Sequence, residues 1–156
     1  GFRRVVASPA PQHILATAAI EALLNTGAIV ITLGGGGVPV TFSNTHQLLG
    51  LEAVIDKDLS SSLLAHEIGA STLIILTDIN CVYLNFLDTQ RQPVPTLTTA
   101  EAEEHLRNGE FLPGSMAPKI EAALTFLHGG GHRVLIGLPE KLPQLLQGHA
   151  GTEIVP

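Results

Sequence analysis

Residues 28–37 read Ala28-Ile29-Val30-Ile31-Thr32-Leu33-Gly34-Gly35-Gly36-Gly37. The first six positions are apolar or β-branched with no polar alternation, the pattern of a strand covered on both faces, and they run directly into four glycines. Two later stretches share this character, Thr72 to Thr77 (Thr-Leu-Ile-Ile-Leu-Thr) and Arg133 to Ile136. Helical segments separate them. Gln12 to Asn25 carries Ile14, Leu15, Ala18, Ala19, Ala22 and Leu23 at helical spacing, with Gly27 as its stop. Leu59 to Ile68 is predicted as a second helix ended by Gly69. Thr98-Thr99-Ala100-Glu101 has the form of a capping box opening a charged helix to Arg107, closed by Asn108-Gly109. Ser115 is expected to cap a fourth helix, with Pro118 in its first turn, that runs to Leu127 or His128 and ends at three glycines. Glu140 to Gln147 is a last helix. Val38 to Phe42 with the polar turn Ser43-Asn44-Thr45 reads as a hairpin, and Thr152 to Val155 as a final edge strand. Short buried strands alternating with helices predict an α/β sandwich with a largely parallel sheet. No repeat or linker divides residues 1–156, so a single unit is expected.

Composition narrows the function. Of 156 residues, 45% are hydrophobic and 14% charged, enough apolar material for a sizeable core and too little polarity for a disordered chain. No apolar run reaches the roughly 18 residues of a membrane span. Eight Lys and Arg against fourteen Asp and Glu give a formal net charge of -6, which leaves too few cations for a phosphate-neutralising face, so nucleic acid is not an expected partner. The single cysteine, Cys81, cannot form an internal disulfide, and no leader pattern opens the chain, so a cytoplasmic setting is expected. The chain starts at Gly1 rather than Met, and Arg4-Val5-Val6 reads as a strand entered midway, so a fragment, a processed product or a tagged chain is expected.

The glycines at 34–37 follow a strand, where the missing Cβ lets backbone N–H groups face an anion. They do not form a Walker A loop, because no Gly-Lys-Ser/Thr follows, and Val38-Pro39-Val40 is extended rather than helical. A tight turn under close strand packing is the plainer alternative, although four glycines in succession exceed what a turn requires. The chain has three lysines, two in unusual settings: Lys57 between Asp56 and Asp58, and Lys119 just inside the helix opened by Gly114-Ser115-Met116-Ala117-Pro118. Phosphoryl transfer spreads negative charge over phosphate oxygens that a catalyst must neutralise and align. One lysine about 4 Å from such an oxygen is worth roughly 4 kcal/mol at an effective dielectric of about 20, before desolvation.

Asp56 and Asp58 would oppose a phosphate unless they hold the lysines or share a metal. The alternative is a solvated loop with Asp58 as helix N-cap. Thr77-Asp78 ends a buried strand, where open α/β sheets bind ligands; a strand-end turn is the rival reading. Val82-Tyr83 could border an adenine ring or simply pack. The seven histidines form no metal set; His128 and His132 merely flank a glycine turn. No Gly-x-Ser-x-Gly elbow is present, and Cys81 has no identifiable base, which disfavours nucleophilic catalysis.

In this order, Leu33-Gly34-Gly35-Gly36-Gly37-Val38-Pro39-Val40, Glu52-Ala53-Val54-Ile55-Asp56-Lys57-Asp58-Leu59, Ile75-Leu76-Thr77-Asp78 and Val82-Tyr83-Leu84-Asn85 resemble carbamate kinase, within the amino acid kinase family. Gly114-Ser115-Met116-Ala117-Pro118-Lys119 and Gly151-Thr152-Glu153-Ile154-Val155-Pro156 extend the likeness. The resemblance implies a three-layer αβα sandwich and reversible phosphoryl transfer between carbamoyl phosphate and ADP, giving carbamate and ATP, with Mg²⁺. By similarity, Lys57 and Lys119 neutralise the transferring group, Asp58 organises them and Asp56 supports the site. Thr77, Asp78, Val82, Tyr83, Ser115 and Met116 are expected in the nucleotide pocket, and Gly34, Gly35, Gly36 and Gly37 on the carbamate or phosphate side. No protein ligand to a metal is assigned.

Family members are about twice this length, and the likeness is to their C-terminal half only. The absent half would carry a Gly-Gly-Asn motif, a further lysine and much of the carbamate site. Ala117 stands where the family usually has Gly, and Asn80-Cys81 where an acidic residue and Gly are more usual. The resemblance implies a homodimer, and the absent half predicts a partner that supplies it. Two other functions compete: a non-catalytic nucleotide-binding or assembly module of the same fold, and a kinase for another small carboxylate.

Overall fold

The computed structural model of the chain describes residues 1–2, 5–86 and 91–156. Arg4 of the expected opening strand lies outside the described residues; Val5 and Val6 are in no strand, and the nearest pairing is an isolated parallel bridge between Ala7 and Ala53. Helix α1 covers Thr17–Leu24 and is shorter than its sequence pattern, because Ala16 provides no side-chain cap and Thr17 instead bonds back to the Ile14 carbonyl through its hydroxyl at 2.8 Å. Strands β1 (Val40–Phe42) and β2 (Leu48–Gly50) form the expected antiparallel hairpin, with Phe42 opposite Leu48. Its turn is closed by the Ser43 hydroxyl, which accepts the N–H groups of Thr45 and Gln47 at 3.1 Å each.

Helix α2 (Lys57–Glu67) leads into β3 (Thr72–Leu76), and a second antiparallel hairpin follows from β4 (Val82–Leu84) and β5 (Gln92–Val94). Then come β6 (Thr96–Thr98), α3 (Thr99–Arg107), α4 (Met116–His128), β7 (Arg133–Gly137), a 3-10 turn at Pro139–Lys141, α5 (Leu142–Leu146) and β8 (Thr152–Val155). The capping box of α3 forms as predicted: Glu101 accepts from the Thr98 N–H at 2.8 Å, and this bond holds its carboxyl below the usual carboxylate range.

The main sheet runs β3-β7-β8-β6, with β3/β7 and β8/β6 parallel and β7/β8 antiparallel. β8 is thus interior rather than at the edge. A four-residue strand such as Thr-Glu-Ile-Val looks the same in either position, because only its neighbours distinguish them. Alternation along the strands sends Leu73, Ile75, Val134, Ile136 and Ile154 into one core with Ile120 and Phe126 of α4. Helices α2, α3 and α4 cover that face, while α5 lies against β7 where Leu135 and Leu145 meet on the other.

α2 and α4 approach closely because the buried positions between them are small: Ser60, Ser62 and Ala65 on one helix, Ala122 and Ala123 on the other. The Ser62 hydroxyl is buried and has no hydrogen-bond partner among the described residues. A desolvated, unpaired hydroxyl costs roughly 1–3 kcal/mol. Ser62→Ala should therefore melt at or above the wild-type temperature in a thermal denaturation, and a clear drop would mean the hydroxyl is satisfied.

Ala28–Leu33, expected as a doubly covered strand, has no ladder partner among the described residues. Ile29 and Ile31 are 95% and 98% exposed. Residues of this type are coded for two covered faces, and here no described element covers them. The exposed Val5, Val38, Ile74 and Leu76 show the same incompleteness.

Candidate functional site

The first cluster forms at the N-terminus of α2. Asp56, with extended backbone (φ -65°, ψ 130°), is the N-cap: its carboxylate accepts the N–H groups of Asp58 at 2.8 Å and Leu59 at 3.1 Å. Asp58 therefore does not cap the helix, contrary to the sequence alternative. Because Asp56 caps the helix two residues earlier, Lys57 and Asp58 lie inside its first turn and the Asp58 carboxylate is free for other work. Asp58 is buried and accepts from Lys57 Nζ at 3.2 Å through both oxygens, and from Lys119 Nζ at 2.7 Å. Lys119 comes from the first turn of α4, and only 12% of its side chain is exposed against 56% for Lys57. The two ammonium groups share the Asp58 carboxylate and present cations to a polyanion, while the Asp56 carboxylate balances the second charge and already takes the N–H groups of Asp58 and Leu59.

The glycine loop rests on this cluster. Gly36 is buried, its carbonyl accepts the Ser60 hydroxyl at 2.8 Å, and a Cβ built on it would stand 2.0 Å from the Ile55 carbonyl oxygen. Its φ of +124° also favours glycine. Gly34, Gly35 and Gly37, in contrast, have nothing within 4 Å of an added Cβ, so their outer surface is open to a ligand. The four glycines divide into one that docks the loop and three that leave space above it.

A cleft opens beside the start of α4, lined by Thr77, Asp78, Ile79, Tyr83, Phe86, Leu112, Ser115 and Met116. Five of the six residues expected at a nucleotide pocket meet here. Val82 does not: it is fully buried in the core, because alternation along β4 turns it inward when Tyr83 turns out. Ser115 does not cap α4 with its side chain; its backbone (φ -130°, ψ -80°) is non-helical, and the Met116 and Ala117 N–H groups reach the Leu112 carbonyl instead, both at 3.1 Å.

Sequence reasoning missed Ile79, Phe86 and Leu112. The first two carried a signal, apolar residues flanking Tyr83 after a strand end; Leu112, ahead of Pro113-Gly114, carried none. Tyr83 meets Phe86 edge-on with centroids 6.1 Å apart, and the Arg91 guanidinium lies 5.4 Å over its ring. Its phenol is held above the ordinary tyrosine range, chiefly by hydrogen bonding with the Cys81 side chain. Met116 in the cleft and Lys119 in the cluster stand three residues apart on α4, so one helical turn joins the two. A larger cavity of about 350 Å³, between α5 and Asn80-Cys81, contains none of the expected site residues.

Among the described residues no three His, Cys, Asp or Glu side chains could hold a metal ion. Asp56 is committed to helix capping and Asp58 to the two lysines, so they do not form a metal cage. The described helices include none long and apolar enough to cross a membrane.

The family model of the amino acid kinase family matches residues 2–137. The chain is 46% identical over 155 residues to the carbamate kinase-like protein YahI of Escherichia coli, covering 99% of this chain and 49% of that protein. It is 47% identical to carbamate kinase of Halobacterium salinarum over 156 residues, covering 100% of this chain and 50% of the relative. Among solved structures, carbamate kinase from Giardia lamblia bound to AMP-PNP superposes with a TM-score of 0.93 at 34% identity, covering 97% of this chain and 48% of that one. The chain thus spans about half the length of these relatives, matching their C-terminal half. The mixed sheet with helices on both faces is the amino acid kinase fold.

Proposed function

The chain belongs to the amino acid kinase family, and on that premise we propose that it is the nucleotide-binding part of a carbamate kinase-like phosphotransferase. The single observation that carries this reading is the junction of the cleft with the Asp58-Lys57-Lys119 cluster through the first turn of α4. In the proposed reaction a β-phosphate oxygen of ADP attacks the phosphorus of carbamoyl phosphate, the bond to the carbamate oxygen breaks, and ATP and carbamate result. Thr77, Asp78, Tyr83, Ser115 and Met116 would hold the nucleotide, while Gly34, Gly35 and Gly37 would let the carbamate or phosphate side of carbamoyl phosphate approach the backbone. Lys57 and Lys119 would neutralise the phosphoryl group in flight, with Asp58 fixing both ammonium groups beforehand. Asp56 would act at one remove, by capping the helix that presents them. Mg²⁺ would arrive with the nucleotide phosphates as part of the substrate, since the described residues offer no cage of their own.

The second reading is a non-catalytic nucleotide-binding or assembly module, favoured by the uncovered Ile29 and Ile31, which call for a partner surface. That partner would be the other half of a carbamate kinase-like fold or a second copy of this chain. Titration calorimetry with MgADP tests the core of the proposal: saturable one-to-one binding is expected, weakened by Asp78→Ala and by Lys119→Ala. ATP formation from carbamoyl phosphate and ADP should then appear when the missing half is supplied. Tight MgADP binding with no turnover under those conditions would favour the module; a faster reaction with an acetyl- or glutamyl-type acceptor would move the activity to another small carboxylate.

A further inference from the structure

We infer that Thr152, which does not line the cleft, is a positioning residue that sets the Tyr83 wall by pinning the β4-β5 hairpin to the main sheet. The inference rests on the nucleotide-binding reading above for its functional consequence, and on hydrogen-bond geometry for its premise. Thr152 is the first residue of β8 and is 1% exposed. Its hydroxyl accepts the Val82 N–H at 2.8 Å and donates to the Val94 carbonyl at 2.5 Å. Val82 and Val94 are partners in the β4-β5 ladder, so one hydroxyl holds both strands of the hairpin at the same rung.

A threonine hydroxyl has one proton to give and lone pairs to receive, and this position uses both functions. Val82 is fully buried, so its N–H has no recourse to water if the hydroxyl is removed. Tyr83 follows Val82 directly, and the ring it turns into the cleft is located by how firmly its strand is tied down. Thr152, some 70 residues away in sequence, is the side-chain tie on the β4 strand, whereas β5 is also held through Pro95, whose carbonyl accepts the Glu153 N–H at 2.9 Å. The same tie explains why Val82, expected at the ligand, serves through its backbone instead.

The composition supplies the probe. Tyr83 is the one tyrosine of the chain and tryptophan is absent, so intrinsic tyrosine fluorescence reports this wall alone. Three variants would be compared with wild type well below their melting temperatures: Thr152→Val, which keeps shape and loses both bonds; Thr152→Ser, which keeps the hydroxyl; and Ile20→Ala, which destabilises α1 at a buried residue outside the core cluster that holds Val82. Thr152→Val should weaken MgADP binding about tenfold or more and raise the acrylamide quenching constant of Tyr83 about twofold, whereas Thr152→Ser should restore both. Ile20→Ala should lower the melting temperature and change neither. Wild-type affinity and quenching in folded Thr152→Val would overturn the inference and leave Thr152 a purely structural residue. Wild-type protein that binds no MgADP, combined with raised Tyr83 quenching in Thr152→Val, would defeat the nucleotide reading and uphold the positioning one. Should Thr152→Val not fold, amide exchange of Val82 in the wild type decides: strong protection supports the tie, and exchange as fast as a loop amide overturns it.

Discussion

Lys119→Ala is expected to lower phosphoryl transfer at least about a hundredfold in an assembly that carries both halves of the fold, the usual consequence of removing one preorganised donor from developing charge. The magnitude follows from placement. Lys119 is largely buried and held 2.7 Å from Asp58, whereas Lys57 is more than half exposed and its field is weakened by water. Removing Lys119 also leaves the buried Asp58 carboxylate with one exposed partner, so the remaining charge is less favourable to a phosphoryl group than before. The effect on MgADP affinity should be much smaller than the effect on turnover, because neutralisation of the transferring group matters most in the transition state. Initial rates of ATP formation, measured beside calorimetric affinities, separate the two. Turnover like that of wild type would remove Lys119 from the mechanism.

The second large effect is expected at Gly36. A methyl group there meets the Ile55 carbonyl oxygen at 2.0 Å, a main-chain atom that cannot rotate aside, and the φ of +124° adds strain of its own. Gly36→Ala should cost about 3 kcal/mol or more and detach the loop from Ser60, abolishing whatever binds between the loop and the lysines. Gly35→Ala, one residue earlier, has open space and no positive φ, so its urea midpoint should stay close to that of wild type. Equal midpoints for the two variants would show that the loop is not docked as described.

Most of the scaffold was legible because local signals and tertiary context agree there. The apolar runs of β3 and β7, the Thr98-Glu101 capping box and the glycine stops of α2 and α4 each specify an element without knowledge of its neighbours. Reading failed where the deciding partner is remote. That β8 lies inside the sheet depends on β6 and β7, and that Val82 points inward depends on which face of β4 the core claims. Asp56 and Asp58 are adjacent to the same lysine and equally good caps on paper; the buried ammonium of Lys119, 61 residues away, is what assigns one to the helix end and the other to the ion cluster. The cleft was legible as a set of residues near a strand end, but Leu112 joins it only because the chain before α4 folds back over Met116.

The Ile29-Val30-Ile31 segment, with both isoleucines exposed, also has a consequence for how the chain behaves in a tube. It is β-prone, uncharged and free of proline, and among the described residues the main sheet ends at β3 with one side unpaired. Such segments template stacking between identical chains. Covering this segment, by another stretch of the same protein or by a second chain, should therefore raise the concentration at which the protein stays dispersed, which light scattering measured against concentration would show.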